Sequence, residues 1–295
     1  MTSDGVLVEV APGVHVATSQ VYTTTSTVVV GDEGGCLVVD PGVTAREVEA
    51  LGDAVRARGW HPVAVWSTHP HWDHRLDGPW LRGVPRWSAP SGNQPDEPAR
   101  AHVPVARFAA QRDDDDELAR ALHARPADAP AAIAPEPRPA PVRPGGGEGV
   151  AAAWHTLDDE AIGWSGPRAL VLAHRAHAAG HSALLLPDVG VLIAGDMLSD
   201  IEIPLLDDDA ADPVGDYRTA LDVLATCGAT LVVPGHGSVG RELDARVTAD
   251  RAYLTALAGG AEPDDPRLAA PAQRAAHEQQ RILVAHASHR TPPGG

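Results

Sequence analysis

The sequence predicts an α/β fold arranged as one layered domain, on three observations. Short β-branched runs open the chain, a helix-periodic segment follows them, and a second set of apolar runs with a helix of its own fills the C-terminal half. Because strands and helices recur on both sides of the proline-rich middle, that middle reads as an insertion within one domain. At 295 residues the chain is long enough to bury a large core.

Each element has its own signal. "VLVEV" (6–10), "VHVAT" (14–18), "STVVVGD" (26–32) and "GGCLVVD" (34–40) are β-branched and separated by Gly or Pro, which predicts successive strands. "TAREVEALGDAVRARG" (44–59) has helical spacing, a capping threonine at its start and a glycine at its end. "HPVAVWSTH" (61–69) returns to a strand, and "VPRWSAP" (84–90) adds a short one. "DDDDELARALHAR" (113–125) reads as a helix whose acidic start, Asp113 to Asp116, suits the positive end of the helix dipole. Residues 126–149 hold seven prolines and four glycines, a composition that supports neither ladder nor helix and predicts a disordered loop. Further strands follow in "RALVLAH" (168–174), "SALLLPD" (182–188), "GVLIAGD" (190–196) and "TLVVPGH" (230–236), with a helix over "DPVGDYRTALDVLATCG" (212–228). Residues 259–295 read as a C-terminal helical extension and tail beyond a catalytic domain of residues 1–258.

Composition excludes several functions. Aromatic residues are only 4% of the chain, so Ala, Val and Leu must fill most of the interior. All 23 basic residues are arginine, which rules out a Schiff-base lysine and a phosphate-loop lysine. A net charge of -17 without an Arg-rich block argues against nucleic acid, whose binding depends on basic groups that displace counterions. The opening "MTSDGVLVEVAPGV" lacks a secretory leader pattern, and no apolar run approaches the roughly 20 residues of a membrane span. Cys36 and Cys227 cannot build a disulfide framework, and Cys36 within "CLVVD" reads as a small buried residue. The expectation is a cytoplasmic protein with a small-molecule partner, no membrane contact and no assignable oligomeric state.

"STHPHWDHRLDG" (67–78) then sets His69, His71, Asp73 and His74 within six residues, directly after an apolar strand. In an extended segment, His69, His71 and Asp73 share a direction that Trp72 and His74 do not. Four ligands on divergent directions overfill one open tetrahedral site, so two ions fit better, one on His69 and His71 and the other on Asp73 and His74. Remaining ligands stand at strand ends: Asp196 after "GVLIAG", His236 in "PGH", and His174, His177 and His181 in "LVLAHRAHAAGHS".

This pattern resembles the metallo-β-lactamase superfamily in its binuclear form, which includes glyoxalase II and the lactonases. HxHxDH is complete in His69, His71, Asp73 and His74, "PGHG" contains His236, a strand and glycine precede Asp196, and "VVDPG" carries Asp40. The resemblance spans roughly residues 5–257 and implies a four-layer αββα sandwich. The implied metal ligands are His69, His71, Asp73, His74, His177, Asp196 and His236, with Asp196 bridging. Implied cofactors are two zinc ions, with iron or manganese as substitutes. At the third histidine the chain departs from the family's TPGHTPG, reading "HRAHAAG". A gapless count back from Asp196 selects His177, and the competing overlay selects His181.

Such an ion pair, about 3.5–4 Å apart, brings a shared water close to neutral pKa and polarises a carbonyl. Asp73 is then the catalytic residue that orients the nucleophile and shuttles its proton, and Asp40 can accept the other ring N–H of a ligand histidine. Asp196 favours ester, thioester or lactone hydrolysis. The alternatives are a β-lactam hydrolase, and a mononuclear iron persulfide dioxygenase using His69, His71, Asp196 and one of His177 or His181. A loop at "LLDDDAAD" (205–212) is a candidate substrate-facing segment. His15, His61, His102, His123, His155, His277, His286 and His289 lack any motif and read as surface or cap residues, and Trp72, Trp80 and Tyr217 as core.

Overall fold

The computed structural model describes residues 6–76, 78–89, 154–156 and 162–290. A seven-stranded sheet runs in spatial order β1 (Val8–Ala11), β2 (Val14–Thr18), β3 (Thr25–Val30), β4 (Gly35–Val39), β5 (His61–Ser67), β6 (Arg86–Ser88) and β7 (Trp154–Thr156). The second sheet has four strands in the order β11 (Leu231–Pro234), β10 (Val191–Gly195), β9 (His181–Leu186) and β8 (Leu170–His174). Among the described residues, four α-helices accompany them: α1 (Ala45–Ala57), α2 (Pro213–Ala225), α3 (Leu243–Ala258) and α4 (Pro271–Arg290).

The layers follow from the period-two alternation of side chains along strands. Leu37 and Val39 of β4 point between the sheets, where they meet Leu184 and Leu186 of β9, Ile193 of β10 and Val233 of β11. Cys36 and Val38 point the other way, onto Leu51, Ala54 and Val55 of α1. On the far side, Leu192, Ala194 and Val232 face Tyr217, Leu221 and Leu224 of α2 and Val247, Leu254 and Leu257 of α3. The result is an αββα sandwich with three apolar interfaces, each fully buried Val or Leu contributing about 1.5–3 kcal/mol.

Helix starts are chemically marked. Thr44 accepts the Glu47 N–H at the head of α1 and its hydroxyl donates to the Glu47 carboxylate at 3.0 Å. Asp212 caps α2, accepting the Gly215 N–H, with Pro213 in the first turn. The helix over 243–258 is not among the elements predicted from sequence. Among the buried residues of α3 are Arg246 and Asp250, so its inward face is not uniformly apolar and its periodicity is blurred. The expected helix at 113–125 and the 126–149 insertion lie outside the described residues.

The extension after residue 258 packs on the rest of the fold. Leu268 is buried in the same core as α2 and α3, and the Tyr253 hydroxyl lies 3.0 Å from Nδ1 of His277. His277 is fully buried, so the surface reading of that residue is corrected. Tyr253 supplies a hydrogen-bond partner for one nitrogen of the ring, while Nε2 is buried without one.

Candidate metal centre

The first sheet delivers its share of the site through two parallel neighbours. β4 and β5 pair with Val39 opposite Trp66, so Asp40 and Thr68 emerge side by side at their C-terminal ends. Asp40 adopts a left-handed backbone (φ 48), an unfavoured conformation for a side-chain-bearing residue that is held by its contacts. Its Oδ1 accepts the Thr68 N–H at 2.9 Å, and its Oδ2 accepts the Thr68 hydroxyl at 2.7 Å. Residues 72–74 then form a 3-10 turn, closed by the His74 N–H to the His71 carbonyl at 3.2 Å. The extended alternation expected for His69, His71 and Asp73 therefore stops at His71. The turn carries Asp73 to the side of His74.

The second sheet brings its ligands in at the ends of β10 and β11. These strands run parallel, and the Gly235 N–H donates to the Gly195 carbonyl at 2.6 Å. A Cβ on Gly235 would stand 2.1 Å from Asp196 Oδ1, and one on Gly195 (φ +58) would stand 2.6 Å from His181 Nε2. Glycine at both positions is thus what lets Asp196 and His236 sit close together. His236 is tied to the first sheet as well, since Thr25 N–H donates to the Gly235 carbonyl at 2.8 Å.

Seven side chains converge in two groups, with all donor atoms of each group within 4.8 Å of one another. His69, His71, His177 and Asp196 form one group, and Asp73, His74 and His236 the other. In the first, His71 Nδ1 lies 3.0 Å from His69 Nε2 and 3.1 Å from His177 Nε2. Asp196 Oδ2 is 3.4 Å from His69 Nε2 and 3.3 Å from His177 Nε2. In the second, Asp73 Oδ2 is 3.5 Å from His74 Nε2 and 3.4 Å from His236 Nε2. The two groups meet at Asp196, which also stands 3.1 Å from His74 Nε2 through Oδ1 and 3.3 Å from His236 Nε2 through Oδ2.

Ring tautomers are set from behind. His74 Nδ1 faces Asp40 Oδ2 at 3.0 Å, His177 Nδ1 faces the Leu205 carbonyl at 2.9 Å, and His236 Nδ1 faces the Tyr22 carbonyl at 3.0 Å. These oxygens only accept, so each Nδ1 carries a proton and each Nε2 is the inward atom, the one that offers a lone pair once an ion takes the place of its proton. His69 obeys the same rule by relay. Thr68 spends its hydroxyl proton on Asp40, so its oxygen accepts from His69 Nδ1 at 3.0 Å.

Nitrogens and carboxylates this close repel unless positive charge lies between them, as a proton on an imidazole or as a bound metal ion. Separations near 3.3 Å are those of donors sharing a tetrahedral ion about 2.0–2.1 Å away. Asp196 Oδ1 is buried without a hydrogen-bond partner, which fits the same requirement. Burial lowers the pKa of His71 to about 4, with the neighbouring His177 adding to the effect. For His236 burial works in the same downward sense, but Asp196 and Asp73 outweigh it and raise the value to about 11, so these carboxylates demand positive charge at Nε2, which a proton supplies when an ion does not. These two groups can hold metal ions.

His181 stands next to the site but faces differently. Its Nε2 accepts the Asp196 N–H at 3.1 Å, and its Nδ1 lies 3.3 Å from His174 Nε2. The lone pair that could bind an ion is thereby engaged in fixing the backbone of Asp196. In the 205–212 segment, Asp207 is buried and 3.8 Å from Arg175, whereas Asp208 and Asp209 are exposed. His102 and His123 lie outside the described residues, as do the side chains of Trp72, His155 and His289. Tyr217 is buried core, and Cys36 is fully buried.

Sequence reasoning missed the supports of the 198–206 loop, which continues from Asp196. Ser199 Oγ donates to the His236 carbonyl at 2.7 Å and accepts the Ile201 and Glu202 N–H groups at 3.2 and 3.0 Å. Arg246 donates to the Leu198 carbonyl at 2.8 Å, and Arg267 to the Ser199 and Glu202 carbonyls at 3.1 and 2.8 Å. From α4, Gln273 and Gln280 accept the Ile203 and Leu206 N–H groups, both at 2.9 Å. No local motif flags Arg246, Arg267, Gln273 and Gln280, because the groups they hold lie tens of positions away in the chain.

Comparison with known proteins agrees with this arrangement. A family model described as "Metallo-beta-lactamase superfamily" matches residues 21–236. A solved metallo-beta-lactamase family protein from Thermus thermophilus is similar in fold, with TM-score 0.57 at 22% identity, covering 96% of this chain and 96% of that one. A beta-lactamase domain protein from Burkholderia ambifaria gives TM-score 0.57 at 19% identity, over 95% of this chain and 88% of its own. Among curated relatives, a hydroxyacylglutathione hydrolase from Salmonella typhi is 43% identical over 47 residues, which is 16% of this chain and 17% of that protein. One from Cronobacter sakazakii is 49% identical over 43 residues, 15% of this chain and 16% of its own. These local matches thus span under a fifth of each relative. With the HxHxDH turn, the strand-end Asp196 and His236, the αββα layers and a family match across both sheets, the chain belongs to the metallo-beta-lactamase superfamily.

Proposed function

We propose that the protein is a binuclear metal-dependent hydrolase, with zinc as the native ion, that cleaves a carbonyl ester, thioester or lactone of a small molecule. The observation that carries this reading is the position of Asp196, whose carboxylate lies between both ligand groups. His69, His71 and His177 would hold one ion, Asp73, His74 and His236 the other, and Asp196 both. When bound, the ion pair supplies an acidified water as nucleophile and a Lewis acid for the carbonyl oxygen.

The chain's own residues do the rest. Asp73 turns Oδ2 toward His74 and His236, and its other oxygen, without a partner among the described residues, accepts the nucleophile's proton and later returns it to the leaving group. Asp40, Thr68, Leu205 and Tyr22 keep four rings in the ligating tautomer, so no reorganisation is needed as charge develops. The local matches to hydroxyacylglutathione hydrolases support a thioester among the substrates. A cytoplasmic site of action accords with two free cysteines, and among the described residues no helix is long and apolar enough to cross a membrane.

Turnover of a panel of esters, thioesters, lactones and a chromogenic β-lactam tests the reading. Hydrolysis of a member of the first three classes, abolished by a chelator and restored by zinc, is the expected result. Turnover confined to the β-lactam, or oxygen consumption with a persulfide in the iron form, would contradict it.

A further inference from the structure

Behind the bridging carboxylate stands a further pair of imidazoles. His174 and His181 are cross-strand partners at the end of the β8–β9 ladder, with His174 Nε2 3.3 Å from His181 Nδ1. His181 Nε2 in turn accepts the Asp196 N–H at 3.1 Å. The His181 ring is wedged in place. It stacks on His69 with centroids 4.9 Å apart, and a Cβ on Gly195 would stand 2.6 Å from its Nε2. The next residue, Ser182, donates its N–H to the Thr68 carbonyl at 2.8 Å, which ties this end of β9 to the first sheet.

The single proton on each ring decides what the pair does. Burial, with His177 nearby, lowers the pKa of His174 to about 3, and burial among histidines holds His181 well below its ordinary value. Both rings are therefore neutral, each with one N–H and one lone pair. Because His181 Nε2 offers its lone pair to Asp196, its proton belongs on Nδ1. His181 is fully buried, and among the described residues His174 Nε2 is the acceptor that this proton meets. An N–H shut away from water without an acceptor is costly, so the lone pair of His174 selects the tautomer. One contact competes: the Ala176 N–H faces His174 Nδ1 at 3.4 Å. Two neutral rings in a row cannot accept from both backbone groups, and the Ala176 contact, longer than the 3.1 Å at Asp196, is the one that yields.

We propose that His174 is a positioning residue for the metal centre: it holds His181 in the Nδ1–H tautomer, and His181 thereby fixes the backbone of Asp196 between the two ligand groups. With the proton on Nε2 instead, His181 would set a donor against the Asp196 N–H and push the carboxylate out of place. His174 is also the first residue of "HRAH", where the chain departs from the family's TPGH. The inference rests on Asp196 serving both ions, as in the hydrolase reading, and on no particular reaction.

The test uses the zinc-loaded full chain with isotope-labelled histidine, alongside His174→Phe and His174→Gln. Phenylalanine keeps a ring but accepts nothing, whereas the glutamine amide oxygen takes the Nδ1 proton. Long-range proton–nitrogen NMR spectra should show His181 protonated at Nδ1 in wild type and His174→Gln. His174→Phe should show a mixture or the Nε2 form. In competition with a chelator, His174→Phe should hold both ions about tenfold more weakly, the low end for a group that supports a ligand from behind, and His174→Gln within about twofold of wild type. A wild-type ring protonated at Nε2 overturns the proposal, whatever the variants do. So does a His174→Phe that keeps the wild-type tautomer, even if it melts earlier, because His174 is then packing alone. Neither readout involves turnover. If both follow His174 while no ester, thioester or lactone is cleaved, the hydrolase reading fails and the positioning role stands.

Discussion

Two buried polar clusters adjoin the 198–206 loop, and they are rich in the same acceptors. At one, Asp196, Asp73 and five imidazoles turn lone pairs toward a common centre that no protein donor fills. At the other, Asp250 and Asp265 surround Arg267, which donates to Asp250 Oδ1 at 2.7 Å, to Asp265 Oδ2 at 2.7 Å and to two backbone carbonyls. The second cluster carries its cation on the chain, and the first is shaped for one that is not. Acidic or histidine-rich composition therefore does not identify a metal site. The distinguishing feature is whether the inward-facing atoms include donors.

The largest effect that can break this comparison concerns the third histidine. His177→Ala should lower metal affinity by orders of magnitude and remove nearly all turnover, since an inward lone pair disappears. His181→Ala removes the acceptor of the Asp196 N–H and the contact with His174 but no inward-facing ligand atom, and a loss of roughly 10–100-fold in metal affinity is expected. A side-by-side metal titration in which His181→Ala suffers more would place the ligand role on His181.

Next in size is the closed cluster. Arg267→Met strips the counter-charge from Asp250, which is 1% exposed, and breaking a buried pair in this way costs about 3–5 kcal/mol. The melting temperature should fall by on the order of 10 °C with metal content per folded chain nearly intact. Full loss of metal at low temperature, without a stability change, would show that the two clusters are one device.

The smallest effect sharpens the contrast between a fold-building residue and a reactive one. Burial pushes the Cys36 thiol up to about 12, so at pH 8 almost none of it is thiolate, the form that reacts. A disulfide reagent should label only the partly exposed Cys227 in the native protein and both thiols after unfolding. Rapid native labelling of Cys36 would contradict its place against α1.

The ligand-bearing strand ends were legible because each ligand follows an apolar run, as Asp196 follows "GVLIAG" and His74 follows β5 within a short turn. Spacing back from Asp196 selected His177 over His181; what it did not reveal is the role of His181, whose Nε2 accepts the Asp196 N–H. Helix α3 escaped notice because Arg246 and Asp250 interrupt its buried face to serve the loop and Arg267. His277 looked like a surface residue until Tyr253, 24 positions earlier, supplied a partner for it. In each case the missing information is a side-chain partnership distant in sequence.

The central claim is that these seven residues hold two ions through a shared Asp196. Its most direct test is metal content by mass spectrometry after loading and exhaustive dialysis, on wild type and Asp196→Asn side by side. The account predicts two zinc ions per wild-type chain, and fewer than one per chain in the variant together with loss of turnover. A single iron in wild type, or two ions held equally well by Asp196→Asn, would contradict it.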